Sequence, residues 1–304
     1  MCYNEKMKTI DFKIADDKCV KLYHWDDVEN AKGVVQIIHG LAEHTARYTK
    51  FAKFLNKNGW HVFGNDLRGC GFNVEKGKLG WDEGNMWEND LSDQLRLTEY
   101  IKILFPELPV AVLGHCYGSF LAQAYLPKNN KASAFILSGS KYAKGGWDMF
   151  WQRSMANMQF SRHGDYKRGK LLYDLTFSAY QYDFKDNGSW LTSDEAEIEK
   201  YGKDIRCNFK YSTNFYKWYY AGLKTLYKKK ARAVDTDLPL MIFSGSDDAS
   251  SKYGKGVTKL YEYYQKLGMN NIEFKLYDGG RHEMLNEVNR EEVYADVLGF
   301  LGGI

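Results

Sequence analysis

Val110-Ala111-Val112-Leu113-Gly114-His115-Cys116-Tyr117-Gly118-Ser119 is the stretch on which the fold turns. Its first four residues are apolar, two of them β-branched, and read as a short buried strand. Ser119 to Leu126 carries a helical pattern that Pro127 ends. Strand and helix are therefore joined by Gly114-His115-Cys116-Tyr117-Gly118, a turn so tight that a Cβ at either glycine would collide with neighbouring chain. Such a turn lifts its central side chain over the carboxyl edge of the sheet. It also sets that side chain at a helix N-terminus, where the dipole favours an anion. A cysteine held there is a candidate nucleophile. A buried, inert thiol is the alternative reading.

Working outward, apolar runs alternate with helical patterns. Thr9 to Ile14 and Val20 to Trp25 flank Asp16-Asp17-Lys18 as a hairpin. Gly33 to His39, Trp60 to Asn65, Ala134 to Ser138, Leu238 to Phe243 and Ile272 to Tyr277 read as further strands. Helices are expected over Thr45 to Asn58, Glu88 to Leu104, Gly254 to Leu267 and Glu287 to Leu301. Strands alternating with helices of this length predict a mostly parallel sheet flanked by helices, an α/β fold. Residues 143–235 break the rhythm. They contain no buried β-branched run, many aromatics, and helical segments such as Thr192 to Tyr201 with Ser193 as N-cap. The chain thus divides into a core, residues 1–142 and 236–304, and an inserted helical cap, residues 143–235.

Composition narrows the function classes. Apolar residues make up 44% of the 304-residue chain and charged residues 27%, an ordinary globular balance. The net charge of +3 is too small for a nucleic-acid footprint. Five scattered cysteines without a CxxC pair argue for a reducing compartment, and the N-terminus has no apolar leader run. No stretch of 18 apolar residues predicts a membrane span. The expected location is cytoplasmic.

A thiol nucleophile requires a base and an acid. Of seven histidines only His282 follows the final strand, where a chain order of nucleophile, acid, histidine would put it. The acid should end the preceding strand, in Ser244-Gly245-Ser246-Asp247-Asp248. Acid loops of this kind often read Gly-x-x-Asp, which favours Asp248 over Asp247. An oxyanion hole needs two backbone N–H groups. Tyr117 supplies one and Leu41, in His39-Gly40-Leu41, the other. His39 is expected to brace its loop, and His115 to be structural. Asp66-Leu67-Arg68-Gly69-Cys70-Gly71 lacks a phosphate-loop pattern and reads as a turn locked by an Asp–Arg pair. Lys228-Lys229-Lys230 reads as a solvated face. Neither a metal nor an organic cofactor is expected.

Several stretches together resemble one family. Ile38-His39-Gly40-Leu41-Ala42-Glu43-His44 with Arg47-Tyr48 looks like the His-Gly-x-x-Glu-His…Arg-Tyr signature of the monoacylglycerol lipase/lysophospholipase branch of the α/β-hydrolases. Asp66 to Gly71 resembles its Asp-x-Arg-Gly-x-Gly turn. Gly254-Lys255-Gly256-Val257, Leu260-Tyr261 and Tyr277 to Glu287 resemble its C-terminal block. Ser189-Trp190-Leu191-Thr192 with Asp194-Glu195 is similar to bacterial members. The resemblance implies an α/β-hydrolase fold, a triad on Cys116, Asp248 and His282, and oxyanion donors at Leu41 and Tyr117. It also implies a helical cap over an acyl pocket. Trp147, Trp151, Phe177 and Trp218 are candidates to line that pocket. This chain departs from the pattern at Cys116, where the family has Ser, at Tyr117, where Met is usual, and at Ala249, where Pro often follows the acid.

Three functions follow. One is a hydrolase of monoacyl or small aryl esters working through a covalent acyl-enzyme. The others are acyl transfer at the same residues, or a binding protein with little catalysis. The cysteine marks a natural thiol hydrolase, a replaced serine or a protein that has left hydrolysis. The expected partner is a small ester or lipid-like molecule, with no nucleic acid.

Overall fold

The computed structural model describes residues 7–14, 16–129, 131–145, 147–184 and 188–304. Eight strands form one sheet in the order β1-β2-β4-β3-β5-β6-β7-β8. They are β1 (Met7–Lys13), β2 (Cys19–Trp25), β3 (Gly33–Ile38), β4 (Trp60–Asn65), β5 (Val110–His115), β6 (Ala134–Ser138), β7 (Leu240–Gly245) and β8 (Ile272–Tyr277). The first two strands pair antiparallel, as the hairpin reading requires, and β2 pairs antiparallel with β4. From β4 to β8 every pairing is parallel. This is the mostly parallel α/β sheet expected from the alternation of strands and helices, and the α/β-hydrolase architecture that the family resemblance implies.

Side chains alternate across the sheet with a period of two. Val35, Ile37, Ala111, Leu113, Ile136 and Phe243 face one layer, where α1 (Thr49–Lys57) lays down Phe51 and Leu55. The C-terminal helix, Arg290–Leu301, adds Val293, Val297 and Phe300 to that layer. Ile38, Val112, Phe135, Leu137, Leu240 and Ile242 face the other layer. There they meet Leu91 of α2 (Met86–Leu104), Leu121 of α3 (Tyr117–Tyr125), and Val257 and Leu260 of the helix Lys255–Lys266. Central strands covered on both faces read as continuous apolar runs, because neither face meets water. Each fully buried Val, Ile, Leu or Phe contributes roughly 1.5–3 kcal/mol.

Between β6 and β7 the described elements are helical. They are α4 (Trp147–His163), α5 (Lys170–Tyr173), α6 (Ala179–Tyr182), α7 (Glu195–Lys203) and α8 (Thr213–Leu223), with a π-turn joining α5 to α6. The two helices named above after β7 and β8 are α9 and α10. Asp194, not Ser193, caps α7, accepting from the N–H groups of Ala196 and Glu197. Ser193 turns away because its N–H and hydroxyl bind Glu287, 94 residues on. Much of the aromatic content goes into packing. Phe215 of α8 meets Tyr117 edge-on and Tyr219 meets it tilted, at centroid distances of 5.3 and 5.9 Å. Gly222 lets α8 close on the Trp87 ring. No described helix is long and apolar enough to cross a membrane.

Candidate active site

Three loops at the carboxyl ends of β3, β5 and β8 line one cavity of about 560 Å³, and the loop after β7 reaches it through His282. Carboxyl ends of parallel strands are where open α/β sheets build ligand sites. The turn after β5 has the tightness its glycines demand. A Cβ on Gly114 would stand 2.3 Å from the Gly118 carbonyl oxygen, and one on Gly118 would stand 2.0 Å from that of Ile38. Between them Cys116 adopts φ 51° and ψ −113°, a conformation that costs a non-glycine residue roughly 1–3 kcal/mol. It is held by bonds at both ends of the residue. Cys116 N–H donates to Ser138 O, and its carbonyl accepts from the Ser119 hydroxyl at 2.6 Å. The sulfur side faces the cavity.

His282 follows β8 and is buried. Its Nδ1 lies 3.1 Å from Asp248 Oδ2, so the acid that reaches the histidine is Asp248; Asp247 remains at the surface. Asp248 also accepts from the Ser244 hydroxyl (2.8 Å) and from the N–H groups of Ser250 (2.8 Å) and Ser251 (3.4 Å). Burial alone would push this carboxyl up. The charge and hydrogen bond of His282, with the Ser244 and Ser250 bonds, reverse that and hold it well below the usual carboxylate range. Burial likewise opposes a charged His282, but Asp248, and the Cys116 sulfur after it, raise its pKa well above that of a free histidine. His282 Nε2 is buried, and among the described residues its neighbour is the Cys116 sulfur.

The loop after β3 forms the facing wall. Leu67 N–H donates to His39 Nε2 (2.9 Å), which leaves the ring proton on Nδ1, 2.8 Å from Gly40 O. His39 thus braces the loop as expected, and burial keeps it neutral. Gly40 packs against Cys116, since a Cβ there would stand 2.9 Å from the Cys116 Cβ. Leu41 and Ala42 line the cavity, and Ala42 carries φ 53°. No described group accepts from the Leu41 or Tyr117 N–H. His115 bonds the Ser138 hydroxyl at 3.2 Å, and its ring is 4.9 Å from that of His282. Burial, then His282, lower its pKa to about 4.

Several residues here were not singled out from the sequence. Ser250 Oγ is 3.0 Å from His282 Nδ1. Lys141 Nζ donates to the Ser250 carbonyl and to the Tyr180 hydroxyl, both at 2.9 Å. The Trp190 ring lies 4.8 Å from that of His282, and Trp190 O accepts from His282 N–H. Glu43 and Glu283 grip Arg47 from opposite sides, at 2.5 and 2.6 Å. Glu43 also accepts from Gly40 N–H and the Tyr48 hydroxyl. The Glu-x-x-x-Arg-Tyr signal was visible, but its partner Glu283 lies 236 residues beyond Arg47.

Of the aromatic residues proposed to line a pocket, Phe177 does so, beside Tyr173, Trp190, Tyr201, Phe209 and Tyr211. Trp151 is 64% exposed, and Trp218 packs beside Lys217 away from the cavity. The Trp147 side chain lies outside the described residues. The turn at Asp66 needs a correction. Asp66 and Arg68 do not pair. Asp66 accepts from Tyr23, Thr45 and Phe72, while Arg68 binds Asp93, Asp16 and Asp82. The expectation of no metal site also did not foresee that His44, Asp204 and Cys207 come together.

The family described as serine aminopeptidase, S33, matches residues 29–289. Over 285 residues the chain is 24% identical to the monoglyceride lipase homolog of Monkeypox virus, covering 93% of this chain and 92% of that protein. It is 23% identical over 279 residues to phospholipase YtpA of Bacillus subtilis (strain 168), covering 88% and 94%. Among solved structures, a lipase in its open form superposes with a TM-score of 0.87 at 25% identity, covering 97% and 98%.

Proposed function

The chain belongs to the serine aminopeptidase S33 family of hydrolases, and from that premise we propose that it hydrolyses carboxylic esters, of monoacyl or small aryl type, through an acyl-enzyme on Cys116. The observation that carries this reading is the placement of His282: Nδ1 on Asp248, and Nε2 buried with the Cys116 sulfur as its neighbour. The monoglyceride lipase homolog and the phospholipase among its relatives support an ester substrate. So does the largely aromatic and aliphatic wall of the cavity. Two carboxylates reach that wall, Glu43 and Glu283, but Arg47 engages both. Neither is left to anchor the ammonium group of a peptide N-terminus.

The reaction runs in two halves. Cys116 sulfur bonds to the ester carbonyl carbon while its proton passes to His282 Nε2. The carbonyl oxygen becomes an oxyanion, which accepts from the N–H groups of Leu41 and Tyr117. The C–O bond to the leaving alcohol then breaks, and the alcohol takes the proton from His282. Water attacks the thioester, giving its proton to His282. The C–S bond breaks, the acid leaves, and the proton returns to sulfur. Asp248 keeps the imidazole oriented and stabilises its charged form. Residues 143–235 act as the cap over the core of residues 1–142 and 236–304.

The test is time-resolved intact-mass spectrometry after mixing with a reactive short-chain aryl ester. The expected result is an acyl mass on Cys116 that decays within a turnover, and none in Cys116→Ala. Ester turnover retained by Cys116→Ala would overturn the reading. A persistent adduct that only an added alcohol or thiol discharges would replace hydrolysis with acyl transfer.

A further inference from the structure

His44 closes the loop that carries Leu41, and its ring is buried under Phe72 at a centroid distance of 5.3 Å. Its Nε2 lies 2.9 Å from Asp204 Oδ2, which comes from the end of α7. Cys207 is one turn further on, and its N–H donates to Asp204 O. One imidazole nitrogen, one carboxylate oxygen and the Cys207 sulfur all lie within 4.8 Å of one another.

We propose that His44, Asp204 and Cys207 form a binding site for a zinc ion, separate from the Cys116 cavity floor, that ties the loop after β3 to the segment after α7. The donor set is the one zinc takes: imidazole, thiolate and carboxylate. Zinc bonds of about 2.0–2.3 Å in a tetrahedron put ligand atoms about 3.3–3.8 Å apart. The His44–Asp204 spacing of 2.9 Å is just under that range and no ligand pair exceeds 4.8 Å, so side-chain shifts of about an ångström form the site. Cys207 binds as thiolate and releases its proton to solvent. Water completes the tetrahedron, entering past Asp204, whose side chain is 18% exposed while His44 is fully covered.

Two further observations favour a cation here. The backbones bearing the ligands are already joined: Asn208 N–H donates to Ala42 O, and Ala42 N–H donates to the Tyr211 hydroxyl. Arg206 binds the Gly71 carbonyl and lies over Phe72, which fixes the ring above His44. The site is therefore preorganised before any ion arrives. The neighbouring charges also sum to an excess of carboxylate. Arg47 and Arg206 are nearby cations, and Glu43, Glu283 and Asp204 outnumber them three to two.

The experiment uses the full chain stripped of metal and titrated with zinc against a chromophoric chelator, with cobalt(II) as a spectroscopic probe. Wild type should bind one equivalent and show a thiolate-to-cobalt charge-transfer band. Loss of a partner of a metal ligand costs about 10–100-fold in affinity, so loss of a ligand should cost at least about 100-fold. Cys207→Ser should abolish the band. Asp204→Asn, at a partly exposed position that preserves the fold, should weaken binding at least about 100-fold. Cys116→Ser should bind as wild type does. Failure of wild type to bind overturns the proposal. So does a band that survives Cys207→Ser, an unchanged affinity in Asp204→Asn, or a band that disappears in Cys116→Ser, since that places the ion at Cys116 and His282.

Discussion

The floor and the roof of the cavity are built on opposite principles. In the floor, polar groups at the ends of β3, β5, β7 and β8 are cross-braced. Asp248 alone accepts from Ser244, Ser250 and Ser251 and meets His282. The roof is mainly rings: Tyr173 meets Phe177, Trp190 meets Tyr180 and Phe209 meets Tyr211 at centroid distances of 5.6, 5.1 and 5.0 Å. Hydrogen-bonded braces fix an atom to tenths of an ångström, which proton transfer requires. Ring contacts are weakly directional and tolerate changes of ligand shape. Under the proposed function, chemistry belongs to the floor and selectivity to the roof.

The most severe way to test this division is Asp248→Asn. It leaves the shape of the floor but removes the charge that favours a protonated His282. Ester turnover should fall by about 10⁴-fold. The same variant should alter acid stability. Because the folded-state pKa of Asp248 is depressed, its stabilisation is present above about pH 4 and disappears as pH falls through the folded value. The variant should lack that acid loss, and acid-unfolding curves followed by circular dichroism check it.

The roof should respond differently, and Trp190 sharpens the boundary. Phe177→Ala removes only cavity wall, so KM for the longer acyl esters should rise several-fold with kcat nearly unchanged. Trp190→Ala also withdraws the ring beside His282, so kcat and KM should both suffer, with kcat down about tenfold. Equal effects from the two variants would erase the distinction between floor and roof.

The smallest effect concerns a second buried carboxyl. Asp90 lies beneath Tyr117 and accepts from its hydroxyl at 3.0 Å and from Arg68 N–H at 3.0 Å. Burial, with Asp93 adding to it, pushes Asp90 up to about 8, the opposite of Asp248. The contrast follows from partners: Asp248 meets a group that carries charge, whereas hydrogen bonds at Asp90 do not offset its desolvation. Since the unfolded carboxyl ionises near pH 4 and the folded one near 8, the contribution of Asp90 to stability falls as pH rises between them. Denaturant midpoints measured from pH 5 to 8 should decline less in Asp90→Asn than in wild type.

What was legible in the sequence was local or ordered along the chain. The turn at Cys116 could be read because both glycines are required by backbone approach within five residues and by one carbonyl, that of Ile38. His282 and Asp248 could be read because each follows a recognisable strand in a fixed order. Ser250 carried no such signal: a serine two residues past an acid is common, and only the 3₁₀ turn after β7 brings its hydroxyl to His282. Arg68 was misassigned to Asp66 by proximity in sequence. Its partners Asp16 and Asp93 come from 52 residues before it and 25 after, and no local pattern encodes them.

By itself the sequence determined the strand and helix alternation, the strained turn and the chain order of Cys116, Asp248 and His282. Those follow from side-chain period, glycine sterics and connectivity, which act over a few residues or along the chain. Only the tertiary structure decided which charges compensate each other, which aromatics line the cavity, and that His44 meets Asp204 and Cys207. Those outcomes depend on distances between segments up to 236 residues apart, and the packing of helices on both faces of the sheet sets such distances.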